Sequence, residues 1–464
     1  MKQKLIAWIL IFVLLAGCTG CSEMPGPGSA DDRTDNDTMK IFSSVYAMET
    51  PAYPQQVAYP MEDGFISGDD EEQQKLWDAW TEQYSTRIDA SELYEGKLDH
   101  YLRTALPALM RPENEGSNAV CSPLNIWMAL AMTAETAGGS TRQELLDLLG
   151  FDSVEELRKT AEALWTANYC DDGTSTSLLG ASLWLNETVD FKKDTLKTLA
   201  DQYYAATFRG KMADKAFSDA FRSWLDEHTG GLLKDNIAGI EDFDPDLVMA
   251  LATTIYFKAK WTDEFREENT YQETFHGAKN DTETDFLHRS EAGDYYSDEL
   301  FGAVQLPFEQ AGSMWIILPD EGVTPEELLD SGEALAFLQR SWEEKNSKYL
   351  IIDMAIPKFD VNASMDLKTA LSSLGLEEMF DPGRADFSNL TAMDGVYIGA
   401  ASHDARVKID EKGCEAAAFT VMMACGAAMP PEERMEFRVD RPFLFFITGT
   451  DGLPLFCGLV NELQ

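Results

Sequence analysis

Three residue types here could carry covalent chemistry: cysteine or serine as nucleophile and histidine as base. The chain holds seven cysteines (Cys18, Cys21, Cys121, Cys170, Cys414, Cys425 and Cys457) and five histidines. Cys414 with His403 would make a nucleophile–base pair. Yet no Gly-x-Ser-x-Gly elbow or comparable nucleophile turn exists, and His403 lies in "ASHDARV" ahead of a strand. The pattern argues against an enzyme. Once Cys18 and Cys21 are set aside as tail residues, no CxxC pair remains. The irregular spacing suggests neither a metal site nor a disulfide scaffold. No cofactor is expected, and most cysteines read as small buried thiols.

The stretch that asks for an explanation is "EKGCEAAAFTVMMACGAAMPPEE", residues 411–433. Its core, Ala416 to Met429, carries no charge in a chain of formal net charge −44. It is too alanine-rich for an obvious strand and too glycine-spotted for a good helix.

The elements that must position this stretch come from the rest of the chain. With 464 residues, 44% of them hydrophobic, there is ample material for a large core. Asp+Glu 81 against Lys+Arg 37 argues strongly against nucleic acid, since phosphate binding needs a basic face, so no nucleic acid partner is expected. Helical patterns come mostly first: "LYEGKLDHYLRTALPALM", then 118–150, where Ser122 and Pro123 open a buried helix and Thr141 with Glu144 reads as a capping box. Strand-like runs come later, at 178–186, 248–261, 313–319, 348–359, 406–410, 435–449 and 453–461. The order predicts an α+β fold in one large domain.

The N-terminus reads as an address. Two lysines precede an apolar run from Leu5 to Leu15, followed by Leu15-Ala16-Gly17-Cys18. The run is too short to span a membrane comfortably and has signal-peptide shape. The residues before Cys18 resemble a bacterial lipoprotein box, which implies a lipid anchor on Cys18 and no spanning helix. The expected plan is 1–17 signal peptide, 18–80 lipidated cysteine with a flexible acidic and Pro-rich spacer, and 81–464 the folded domain. Its expected location is outside the cytoplasm, anchored to the bacterial cell membrane or released.

Residues 85–464 resemble the serpin family. The motifs stand in the family's order: "NAVCSPLNIWMALAM", "LATTIYFKAKW", "MWIILP", "IPKFDV", "ADFSNL", "ASHDARVKIDEKGCEAAAFT" and "DRPFLFFITGTDGLPLFCG". The resemblance implies three β-sheets, eight or nine helices and an exposed reactive-centre loop at about 411–433. It implies a monomeric suicide-substrate inhibitor of serine endopeptidases. The cut loop would enter the main sheet as a new strand, carrying the acyl-linked protease with it. The hinge would be Glu411, Gly413, Cys414, Glu415, Ala416, Ala417 and Ala418. Asn118, Ser122 and His403 match a polar cluster beneath the main sheet, and Trp261 matches a residue where the loop enters.

An inserted strand must alternate its faces. In this family the residue after the hinge glycine points inward, which makes Cys414, Ala416, Ala418, Thr420, Met422, Ala424 and Gly426 the inward set, all small or apolar. Two counts place the scissile bond: fourteen residues on from Gly413, or three back from Pro430, both reach Ala427, giving Ala427-Ala428. A small aliphatic bait fits a shallow, elastase-like specificity pocket. Cys414 stands where Thr or Ser is usual, Asn125 replaces a usual Ser and Thr253 a usual Asn. Phe419 and Met422 are larger than the common alanines. The competing reading is a non-inhibitory serpin acting as a binding or chaperone-like surface protein.

Overall fold

A computed structural model describes residues 6–15, 44–60, 71–112, 114–231, 234–340, 345–414 and 431–463. Strands β1 (Ile6–Leu15) and β2 (Ala47–Glu49) precede helices α1 (Glu71–Glu92) and α2 (Asp99–Leu109). Strand β3 (Ala119–Cys121) leads into α3 (Pro123–Thr136), α4 (Gly139–Leu149) and α5 (Val154–Asn168). Then come β4 (Cys170–Asp171), β5 (Ser175–Asn186), α6 (Lys193–Gln202), β6 (Ala205–Gly210), α7 (Lys215–His228), α8 (Lys234–Ala238) and β7 (Met249–Lys260). Strands β8 (Thr270–His276), β9 (Asp281–Ser297), β10 (Phe301–Pro307) and β11 (Ser313–Pro319) lead to α9 (Pro325–Ser331) and α10 (Glu333–Gln339). After β12 (Ser347–Pro357), β13 (Phe359–Asp366) and α11 (Leu367–Ser373), the chain closes with five strands. These are β14 (Val396–Ile409), β15 (Gly413–Cys414), β16 (Arg434–Arg438), β17 (Phe443–Thr448) and β18 (Pro454–Val460).

The α+β class holds, but hydrogen bonding among the described residues joins the strands into two nine-stranded sheets rather than three. The reason is β9, 17 residues long. It pairs with β8 and β12 over most of its length and with β10 at its end, so it ties the expected second and third sheets together. Eleven α-helices are present among the described residues, against eight or nine expected.

The main sheet runs β14, β15, β7, β5, β6, β2, with β13 beyond β14. Strands β5 and β7 pair antiparallel from Ser175–Ala259 at one end to Leu185–Met249 at the other. This fixes two poles. The hinge pole holds Lys260, Ile409 and Cys414; the far pole holds Met249, Val396 and Gly210. Between β14 and β7 lies a slot. Its hinge end is taken by β15, and β1 lies below, parallel to both walls, from Ile6 beside Val396 to Leu15 beside Tyr256. The run expected to be a signal-peptide core is thus a strand in the unprocessed chain. A chain cut before Cys18 would not have it.

The body begins well before the expected boundary at 81. Gln56 accepts through its side chain from the Asp171 N–H at 3.2 Å, and Tyr59 N–H donates to the Asp172 carbonyl at 2.8 Å. Tyr53 stacks with Trp165, Tyr169 and Tyr204 at 5.8–6.4 Å between ring centroids. Helix α1 packs on α5 and straddles residue 81. Thr141 is another difference: α4 starts at Gly139 with Gly138 as its cap, and the Thr141 hydroxyl instead accepts from Asp386 N–H at 3.0 Å. Glycine at 138 lets the chain turn close to the Asp386 carboxylate, which would sit 2.9 Å from an added Cβ.

Candidate functional site

The hinge is built from a tight turn at the top of the slot. The Asp410 carboxylate accepts from the backbone N–H groups of Lys412 (2.8 Å) and Gly413 (3.3 Å), an arrangement that Asp favours in turns. Asp410 N–H donates to the Gly413 carbonyl at 3.0 Å. Gly413 is required by space: an added Cβ would lie 2.2 Å from the Ala259 carbonyl oxygen. Cys414 follows, fully buried, opposite Ile409 of β14 and Ala259 of β7.

Trp261 stands where the chain enters the sheet. Its indole N–H donates to the Asp410 carbonyl at 2.9 Å and its backbone N–H to the Lys412 carbonyl at 3.0 Å. Its ring stacks on Phe308 at 4.7 Å. Glu411 is held by Lys358, whose ammonium lies 3.0 Å from the carboxylate. Neither Asp410 nor Lys358 is marked for these roles by its type or spacing alone. An Asp two residues before a Lys-Gly pair is the turn signal that could have found the first.

Halfway along the slot, one helix start holds both walls. Ser122 caps α3 by accepting from Asn125 N–H at 3.1 Å, with Pro123 in the first turn. Ser122 N–H donates to Nε2 of His403 on β14 at 3.1 Å. The Asn125 side-chain amide donates to the Thr253 carbonyl on β7 at 3.3 Å. Burial pushes the His403 pKa down to about 3, so the ring is a neutral acceptor. The Asn125 and Thr253 departures therefore act together: the bridging amide comes from the helix.

Asn118 does not join this cluster. Its amide oxygen accepts from the N–H groups of Asn461 (2.7 Å) and Glu462 (2.8 Å), and its amide donates to the Glu462 carbonyl at 2.8 Å. Asn118 and Ser122 flank opposite ends of β3, about 10 Å of extended chain, so they serve different neighbours. Asn118 pins the C-terminal end of β18 instead. Glu415, Ala416, Ala417, Ala418, Ala427, Ala428 and Cys18 lie outside the described residues.

Among the described residues no group of three or more His, Cys, Asp or Glu side chains could hold a metal ion. Cys121, Cys170, Cys414 and Cys457 are buried free thiols. Burial pushes the Cys170 thiol up to about 11, which leaves it protonated and inert at neutral pH.

Comparison with known proteins agrees with this geometry. The family model "Serpin (serine protease inhibitor)" matches residues 104–463. A putative serpin-Z5 of Oryza sativa subsp. japonica is 31% identical, over 74% of this chain and 84% of that protein. Leukocyte elastase inhibitor A of Mus musculus is 30% identical, over 73% of this chain and 92% of that one. Among solved structures, the thermophilic serpin tengpin in its native state superposes with a TM-score of 0.68 at 26% identity. That match covers 88% of this chain and 97% of tengpin. The chain belongs to the serpin family, whose members are mostly protease inhibitors rather than enzymes.

Proposed function

We propose that this serpin is a suicide-substrate inhibitor of serine proteases with shallow, elastase-like pockets, cut at Ala427-Ala428. The observation that carries the reading is the register at the hinge. In an antiparallel ladder, one step along a strand is one step back along its partner. Cys414 faces Ile409. Thirteen residues beyond Cys414, Ala427 then falls opposite Val396, which lies thirteen residues before Ile409 and opens β14. The loop up to the bait residue is therefore as long as the wall it would line. A strand of this length spans about 45 Å, so insertion would carry an acyl-linked protease from the hinge pole to the far pole.

The inward residues suit that movement. From Cys414 to Gly426 none carries a charge, and in register Thr420 comes level with His403 at the bridged midpoint. Strand addition by a cut loop is known for serpins. The uncut fold is then held by a barrier rather than by being the lowest state. The elastase inhibitor named among the relatives supports the protease class. The lipobox supports an anchor on Cys18 and a place at the bacterial surface.

The test is a panel of elastase-like, trypsin-like and chymotrypsin-like proteases, resolved on denaturing gels, with mass analysis of the C-terminal peptide. The expected result is a covalent complex with the elastase-like members only, and a peptide beginning at Ala428. Clean cutting with no shifted band would overturn inhibition. A different peptide start would move the bait residue.

A further inference from the structure

We infer that a protease trapped by this chain comes to rest against the tether that holds the chain to its surface, so the length of residues 19–43 decides whether the anchored protein can finish the trap. The inference rests on the inhibitory reading and the Cys18 anchor proposed above, and adds what the tether must span.

The N-terminal segment fixes the exit of the tether. β2 pairs antiparallel with β6, Ala47 beside Phe208 and Glu49 beside Thr207. Arg209 N–H donates to the Tyr46 carbonyl at 2.9 Å, and the Tyr46 ring meets Phe217 edge-on at 4.9 Å. Strand β6 runs toward the far pole and ends there at Gly210. Going back from Glu49 toward Ser44 thus leads to the far pole, where Val45 is 95% exposed. In the other direction the segment climbs the molecule past Tyr53 to Tyr59, which bonds to Asp172 near the hinge end of β5. The exit is therefore docked along the edge of the sheet.

The trapped partner lands at the same pole. Ala427 would face Val396, and from the slot to β2 there are four strand spacings, through β7, β5 and β6. At about 4.8 Å each that is about 19 Å. A protease domain of about 230 residues has a radius of gyration near 17 Å and a diameter of about 45 Å. Centred on the acyl bond, it would cover the tether exit and stand between the body and the surface.

The spacer from residue 19 to residue 43 has 25 residues. Fully extended it reaches at most about 90 Å, whereas ten residues reach at most about 35 Å. The first length clears a trapped protease and the second does not.

The experiment uses the mature chain from residue 18, biotinylated at that end and held on streptavidin beads, with the full spacer or with residues 24–38 deleted. Each form is also assayed free in solution with an elastase-like protease. The readout is the partition of consumed inhibitor between covalent complex and cut product, which does not depend on the rate of encounter. In solution the two chains should partition alike. On beads the full spacer should match solution, and the short one should lose at least fivefold in complex with a matching rise in cut product. Equal partition on beads would overturn the inference while leaving inhibition intact. Absence of complex from both chains in solution would remove inhibition, and this inference with it.

Discussion

The two sheets are packed in opposite ways. In the second sheet, β11, β17 and β18 are buried at every position, with Phe443, Leu444, Phe445, Phe446 and Ile447 in one run. Phe445 stacks on Phe359 at 5.2 Å, and its ring occupies the space over Gly458, 1.9 Å from where an added Cβ would sit. Such packing is a jigsaw with one solution. The walls of the slot are different. β14 reads Ala401, Ser402, His403, Asp404, Ala405 and alternates buried with half-buried positions, and β7 offers Ala250, Ala252, Thr253 and Thr254. Small and polar groups there are held by a few hydrogen bonds from α3 and not by interlocked rings. This difference fits the proposed inhibition, in which one core stays as built and the other would be rebuilt around the cut loop.

The contrast can be broken from either side. The largest effect is expected in the loop: Thr420→Arg would place a charge at the buried midpoint of the inserted strand, level with His403. Burying an unpaired charge costs several kcal/mol, so covalent complex should fall about a hundredfold while cutting continues. A gel that shows undiminished complex would separate the loop from the slot. In the fixed sheet, Phe445→Ala should cost about 3–5 kcal/mol. Denaturant midpoints should drop for the uncut and the cut chain alike, because that sheet is the same in both. A drop confined to the uncut chain would erase the distinction.

Acid should loosen the slot next. His403 has its folded pKa lowered to about 3, below its unfolded value of about 6.5. The unfolded chain then binds more protons between those values, so stability rises with pH across that window and is lost as pH falls below about 6.5. Going from pH 7 to pH 5 should remove about 2 kcal/mol through this group. His228, pushed down to about 4 by burial, adds a similar dependence. The measurement is the unfolding rate against pH, compared with His403→Gln, which should show the shallower profile. The smallest effect is expected from Asn125→Ala, which removes the amide bond to the Thr253 carbonyl. A loss of about 1 kcal/mol should make the uncut chain convert or unfold several-fold faster, read by stopped-flow fluorescence. Restoring an amide from the strand side, with Thr253→Asn added, should recover part of it.

What could be read from the sequence follows the same division. The buried strands β17 and β18 announce themselves through runs of aromatic and aliphatic residues, and α3 through its Ser-Pro start. The period-two pattern of the hinge is a local signal, but beyond Cys414 it falls outside the described residues. Positions that depend on distant partners were not legible. Asn118 bonds backbone groups 343 and 344 residues away, and nothing beside it in sequence names them. Tyr53 and Gln56 sit in a polar, proline-marked stretch that reads as a loose spacer. Their attachment exists only because Trp165, Tyr169 and Tyr204 come together in the fold. Thr141 carries a proper capping pattern, but Gly138 near Asp386 moves the helix start three residues earlier.

As a suicide-substrate inhibitor, the uncut chain would wait in a state above its lowest one, with a slot that its own loop can fill. The most direct measurement is thermal unfolding of the mature chain before and after a single nick in the loop near Ala427, followed by circular dichroism. The nicked chain should stay folded above about 90 °C, in the hyperstable range, while the intact chain melts well below it. An unchanged melting temperature after complete nicking would contradict it.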